Sequence, residues 1–181
     1  DKLNLVIAHL GGGISVAAHK QGRVIDTNQA LDGFGPFSAE RAGTMDAGAL
    51  IRVIFAGIYE QEEIQHLLVG KGGLVAHLGT NDVNAAYKLA QNGDLHARLI
   101  LEAMSYGVAK EIGSMLVVLE GKADAVILTG GMAYNELIVN YITRMIQPMC
   151  KVVVYPGEDE MQALAAAGLR VLRGEENVRQ Y

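Results

Sequence analysis

Between residues 94 and 119 the apolar residues Ile100, Met104, Val108, Ile112, Met115 and Leu119 recur at steps of four, four, four, three and four. That spacing keeps a single stripe on a helix of 3.6 residues per turn, and a helix of this length is a rod about 39 Å long. A rod that long spans a small domain, so it predicts a central helix around which the rest of the chain is built. The flanking segments supply a sheet for it to cover. Residues 3–10 (LNLVIAHL) are a short apolar run stopped by three glycines, residues 14–20 (ISVAAHK) alternate, and residues 23–28 (RVIDTN) follow a turn at Gln21 and Gly22. This is the pattern of a three-stranded antiparallel meander. Strands are also expected at 125–128 and 151–155. The first is followed by a helix that carries Leu137, Ile138, Tyr141, Ile142 and Met145 and ends at Pro148. The second is followed by a helix over 158–172 with the stripe Met161, Leu164, Ala165, Leu169 and Leu172.

Between the meander and the long helix lie a segment without clear period at 31–43 (LDGFGPFSAERAG) and helical patterns at 46–55, 61–68 and 82–91, the last two separated by glycine punctuation. The first segment reads as a long loop with a functional surface, anchored by Phe34 and Phe37. The order is three antiparallel strands, helices, then strand-helix-strand-helix, which makes an α/β domain with a mixed sheet. At 181 residues the chain is one domain.

Half the residues are hydrophobic, enough for a core without covalent staples, and disorder is excluded. Twenty acidic against fifteen basic residues give a net charge of -5 with no basic cluster, which argues against nucleic acid and anionic membranes as partners. The single cysteine, Cys150, forms neither an internal disulfide nor a thiolate metal cage. With no apolar run of about 18 residues and no leader pattern, the reading is a cytoplasmic protein. The chain opens on Asp1 and Lys2 and enters a strand at once, which reads as a fragment of a longer protein.

Of the 22 glycines, Gly11, Gly12 and Gly13, Gly33 and Gly35, Gly70, Gly72 and Gly73, and Gly130 and Gly131 fall in clusters next to these elements. His9 runs into Gly11, Gly12 and Gly13, where backbone amides without a nearby Cβ suit an anion and the imidazole suits the charge of a phosphoryl group in transfer. The same residues also fit a glycine-rich hairpin with a core histidine. Thr129, Gly130, Gly131, Met132, Ala133, Tyr134 and Asn135 form a strand end, a diglycine and a helix start, where a nucleotide fits the crevice at the carboxyl end of a sheet. An ordinary βα turn reads the same way. Arg41 suits bidentate capture of a phosphate or carboxylate, or is a solvated loop arginine. Asp32 and Asp46 flank its loop as turn or helix caps. Glu158, Asp159 and Glu160 open the last helix and either complement its dipole or reach Mg²⁺ through water.

Taken in order, VIAHLGGGISVAAHKQGRVIDTN, LDGFGPFSAERAG, GKGGLVAHLGTND, ILTGGMAYNE and VVYPGEDEMQALA resemble the acetate and butyrate kinase family over essentially the whole chain. Gly12, where acetate kinases usually carry Asn, and the residues between Asp32 and Ser38 point to the butyrate branch. The resemblance implies a ribonuclease H-like domain of the actin-like ATPase superfamily, the second and nucleotide-binding half of a two-domain enzyme whose first domain is absent. It implies phosphoryl transfer between ATP and butanoate, giving butanoyl phosphate and ADP, or transfer to a branched-chain or other short fatty acid. A non-enzymatic ATP-binding or dimerisation module is the rival. By the same resemblance His9 contacts the transferring phosphoryl group and Arg41 stabilises its charge. Gly11, Gly12 and Gly13 carry nucleotide phosphates. Thr80, Asn81 and Asp82 contact adenosine, Gly130, Gly131, Met132, Ala133, Tyr134 and Asn135 hold the nucleoside and α-phosphate, and Glu160 lies near Mg²⁺. A homodimer or higher homo-oligomer forms through this half, and the chain alone is inactive because one wall of the site is missing.

Overall fold

The computed structural model describes residues 2–31, 34–157 and 159–177, so Asp32, Gly33 and Glu158 lie outside the described residues, as does the side chain of Glu160. The chain runs β1 (Asn4–Leu10), β2 (Ile14–Lys20), β3 (Arg23–Thr27), α1 (Ala47–Phe55), α2 (Gln61–Leu68), α3 (Gly73–Leu78), α4 (Val83–Gln91), α5 (Leu95–Val118), β4 (Ala125–Gly130), α6 (Glu136–Ile146), β5 (Val152–Pro156) and α7 (Glu160–Leu172). A 3-10 turn, Gly131–Tyr134, joins β4 to α6. The expected strands, helices and order are all present.

The five strands lie in the order β3-β2-β1-β4-β5. β1 pairs antiparallel with β2 and parallel with β4, while β4 pairs parallel with β5. Alternation along the strands gives the sheet two unlike faces. Val6, Ala8 and Leu10, with Ile14, Val16, Ala18, Val126 and Leu128, are buried on one face. α5 lies against β1 and β2 and packs on α4 and α6. All six residues of its predicted stripe are buried, and each such side chain contributes roughly 1.5–3 kcal/mol on transfer from water. Asp94 starts this helix by accepting the N–H groups of His96 and Ala97 at 2.9 and 3.0 Å. The other face carries Leu5, Ile7, His9, Ser15, Ala17, Ile127 and Thr129, all partly exposed.

Several features depart from expectation. The glycine-punctuated stretch contains a helix, α3, whose tight entry is possible because Gly73 takes φ +56 and has no Cβ to strike the Ser38 carbonyl. The segment expected as a surface loop is instead folded inward: Ser38 and Ala39 are buried and Phe37 packs on the core. Phe34, expected as a second anchor, is exposed. The stripe of α7 faces solvent at Met161, Leu164, Leu169 and Leu172, and α1 has no buried residue.

Asn28 explains why the inward loop holds. It is 3% exposed. Its Oδ1 accepts the Val16 N–H at 2.6 Å, and its Nδ2 donates to Ile14 O at 3.1 Å and Phe34 O at 3.2 Å. Where β3 ends, a side-chain amide continues its pairing with β2 and ties in the start of the loop. Asn28→Ala leaves these groups without their partner, so a loss of about 2–3 kcal/mol is expected, read as a fall of roughly 5–10 °C in melting temperature. Amide exchange at Ser38 and Arg41 should rise more than exchange within α5; a uniform rise would contradict the tethering role.

Candidate phosphoryl-transfer site

The carboxyl ends of β1, β4 and β5 meet at one edge of the sheet, and three glycine turns gather there. The register sets His9 beside Ser15 on one side and beside Thr129 on the other. Gly130 has φ +94, and a Cβ on it would lie 2.5 Å from Leu10 O. Its missing side chain therefore lets β4 close on the end of β1. Gly130 and Gly157 exchange two N–H···O bonds of 3.1 Å, and the Thr129 hydroxyl donates to Gly157 O at 3.3 Å. His9, the turn of residues 11–13 and the turn after β4 are thus neighbours on one side of the molecule.

Arg41 reaches this edge from the inward loop. Its backbone bridges to Val69, and its Nη1 donates to Ala30 O at 2.7 Å. The guanidinium fills the volume a Cβ on Gly13 would need, with Cζ 2.6 Å from that position. An arginine packed on a glycine at a turn tip is a cation held in place beside backbone amides, which is the arrangement that stabilises developing phosphoryl charge. The amide of Gly11 already donates to Gly13 O at 3.1 Å, which leaves the amides of Gly12 and Gly13 as the better candidates for an anion.

The other candidates divide. Tyr134 is 70% exposed beside Gly157, whereas Met132 and Ala133 are buried and belong to the core. Asn135 caps α6, its Oδ1 accepting from Leu137 and Ile138 at 3.1 and 3.3 Å, while its buried Nδ2 has no hydrogen-bond partner. Asp82 caps α4 by accepting from Asn84 and Ala85, and its own amide donates to the Thr80 hydroxyl oxygen. Asn81 donates to Glu40, next to Arg41. Of the three, Asn81 ties to the loop that carries Arg41. Asp46 caps α1 through Ala49 at 2.8 Å. Asp159 makes no capping bond at the start of α7. Beneath the loop, burial and the nearby Asp26 carboxylate push the Glu111 carboxyl above its usual range. Burial likewise raises the Cys150 thiol, whose Sγ donates to Ala123 O.

Among the described residues no group of three His, Cys, Asp or Glu side chains converges to hold a metal ion. Nor is any described helix long and apolar enough to cross a membrane.

The turn geometry yields a paired test. Gly130→Ala places a Cβ against Leu10 at a φ that L-residues avoid, and a loss of about 3 kcal/mol or more is expected. Gly12→Ala meets no heavy atom within 4 Å, so its melting temperature should stay within about 2 °C of wild type. Thermal unfolding of the two variants checks this, and equal destabilisation would be inconsistent with the packing described.

A family model for the Acetokinase family matches residues 1–175. The fold is similar to that of acetate kinase from Porphyromonas gingivalis, with a TM-score of 0.83 at 22% identity over 95% of this chain and 50% of that one. A propionate kinase from Francisella tularensis gives 0.78 at 27% identity over 89% of this chain and 48% of that one. Acetate kinase from Entamoeba histolytica gives 0.82 at 19% identity over 95% and 51%. The chain therefore spans about half the length of these structures. A five-stranded mixed sheet with glycine turns at the carboxyl ends of β1, β4 and β5, together with the match over residues 1–175, means that the chain belongs to the Acetokinase family and shares the fold of the matched half of these structures.

Proposed function

We propose that this chain is the nucleotide-binding half of a kinase that transfers the γ-phosphoryl group of ATP to butanoate. One carboxylate oxygen bonds to phosphorus as the bond from phosphorus to the β-phosphate oxygen breaks, giving butanoyl phosphate and ADP with no net proton transfer. The observation that carries this reading is the Arg41 guanidinium seated on Gly13. Transfer through a loose, highly charged transition state depends on positioned cations and amides more than on a nucleophile of the protein. Arg41 and the amides of Gly12 and Gly13 neutralise the equatorial oxygens, and His9 donates to the group in flight. The turn of residues 130–135 receives the nucleoside. Mg²⁺, when bound, spreads the charge of the β- and γ-phosphates, with Glu160 the residue of this chain to hold its water shell.

The assay is hydroxylamine trapping of the acyl phosphate by the natural full-length polypeptide. Arg41→Ala is expected to lower kcat by a factor on the order of 10³ while KM for ATP moves less than about threefold. An unchanged kcat would remove Arg41 from the mechanism. Butanoate should exceed acetate in kcat/KM by at least about tenfold, the smaller end of what added methylenes provide; a preference for acetate would overturn the butanoate assignment. The 181-residue chain alone should fold but not accumulate acyl phosphate, since it supplies one wall of the closed site.

We further infer self-association through α1. Ile51, Ile54, Phe55, Ile58 and Tyr59 are exposed together on this helix and the turn after it, with Phe55 at 84%, a surface that water disfavours and a second copy can cover. Phe55→Glu should shift the sedimentation coefficient toward that of a monomer. A cytoplasmic setting is consistent with the single cysteine thiol, Cys150.

A further inference from the structure

We propose that Ser38 is a positioning residue that aims the phosphate turn and Arg41 at the same point. The inference rests on the function proposed above, because it concerns the groups given to the phosphoryl oxygens there. Ser38 is 1% exposed. Its hydroxyl donates to Gly12 O at 2.7 Å and accepts the Arg41 N–H at 3.3 Å. Its own N–H donates to Arg41 O at 3.0 Å, and its carbonyl accepts the Leu74 N–H from the first turn of α3 at 3.1 Å. One residue, held at both backbone groups, thereby uses its side chain to join the turn tip to the arginine turn.

The consequence follows from peptide planarity. In a trans peptide the C=O and the next N–H point in opposite directions. With Gly12 O drawn inward to Ser38, the Gly13 N–H is turned away from the loop. Arg41, anchored by its amide to the same hydroxyl, lays its guanidinium on Gly13. A serine hydroxyl has one proton and two lone pairs, and here the proton and one pair are committed to the two elements being aligned. Without that hydroxyl the peptide between Gly12 and Gly13 is free to rotate, since two glycines adjoin it and neither has a Cβ to restrict it. The fold survives, but the angle between amide and guanidinium is no longer set.

Three variants separate this role from simple packing. Ser38→Ala removes the hydroxyl, Ser38→Cys replaces it with a poor donor of similar size, and Ser38→Thr keeps it. In the natural full-length polypeptide, Ala and Cys are expected to lower kcat by roughly 10- to 100-fold with KM for ATP little changed, the scale on which small misalignments act. Thr should stay within about fivefold of wild type. If Ala lowers the melting temperature below that of the assay, the Cys variant decides. A second readout needs no turnover: in ¹H–¹⁵N spectra of the 181-residue chain, MgADP should shift the Gly13 amide in wild type and not in Ser38→Ala. Wild-type kcat and an unaltered Gly13 response in Ser38→Ala or Ser38→Cys would overturn the role of Ser38 alone. Absence of any Gly13 response in wild type, with no acyl phosphate formed by the full-length protein, would overturn the functional reading and this inference with it.

Discussion

Everything at the candidate site depends on how closely β4 approaches β1. The two strands pair in parallel from Leu5 beside Ala125 to His9 beside Thr129. At the end of that ladder Gly130 leaves no room for a side chain against Leu10. A residue with a Cβ would force the strand ends apart, and with them the two turns proposed above to receive a nucleotide. The glycine carries a conformational cost in the unfolded chain, yet close backbone approach admits no other residue at φ +94. Burial of one sheet face under α5 then holds the ladder flat against the core, while the opposite face keeps His9, Ser15 and Thr129 partly exposed.

The architecture was largely legible because its signals are local and periodic. A stripe from Ile100 to Leu119 has one geometric solution, and alternation in ISVAAHK has another. The turns of residues 11–13 and 130–131 could be placed at strand ends because glycine clusters mark them. α3 escaped notice because six residues are too few for a period and its flanking glycines mimic a loop. Segment 31–43 misled for a related reason: it lacks regular hydrogen bonding of its own and is held by distant partners, through Asn28, Gly107 and the start of α3. No local pattern announces that a buried amide at position 28 will stand in for a strand.

The candidate site was legible in a different measure. His9, Arg41 and the glycine turns were visible as residue types suited to phosphate, and they are gathered at one edge of the fold. Reading a whole motif as ligand-contacting was less discriminating. Met132 and Ala133 lie within the stretch that holds a nucleotide by resemblance but serve the core, and the Asp82 carboxylate is committed to starting α4. Ser38 had no signal at all, because a serine that donates to a carbonyl 26 residues away looks like any other loop serine.

The topology also orders events in time. Leu10 and Ile14 meet across a turn of three residues, whereas Leu5 meets Ala125 only after 119 intervening residues have been brought round. Loop-closure entropy grows with the logarithm of length, and that difference costs about 3 kcal/mol before any contact between β1 and β4 repays it. The meander and the helices can therefore organise on their own, while the edge that gathers His9 and the turn at Gly130 forms only when the chain's last third docks. The site is the seam along which the early and late parts of the fold are joined.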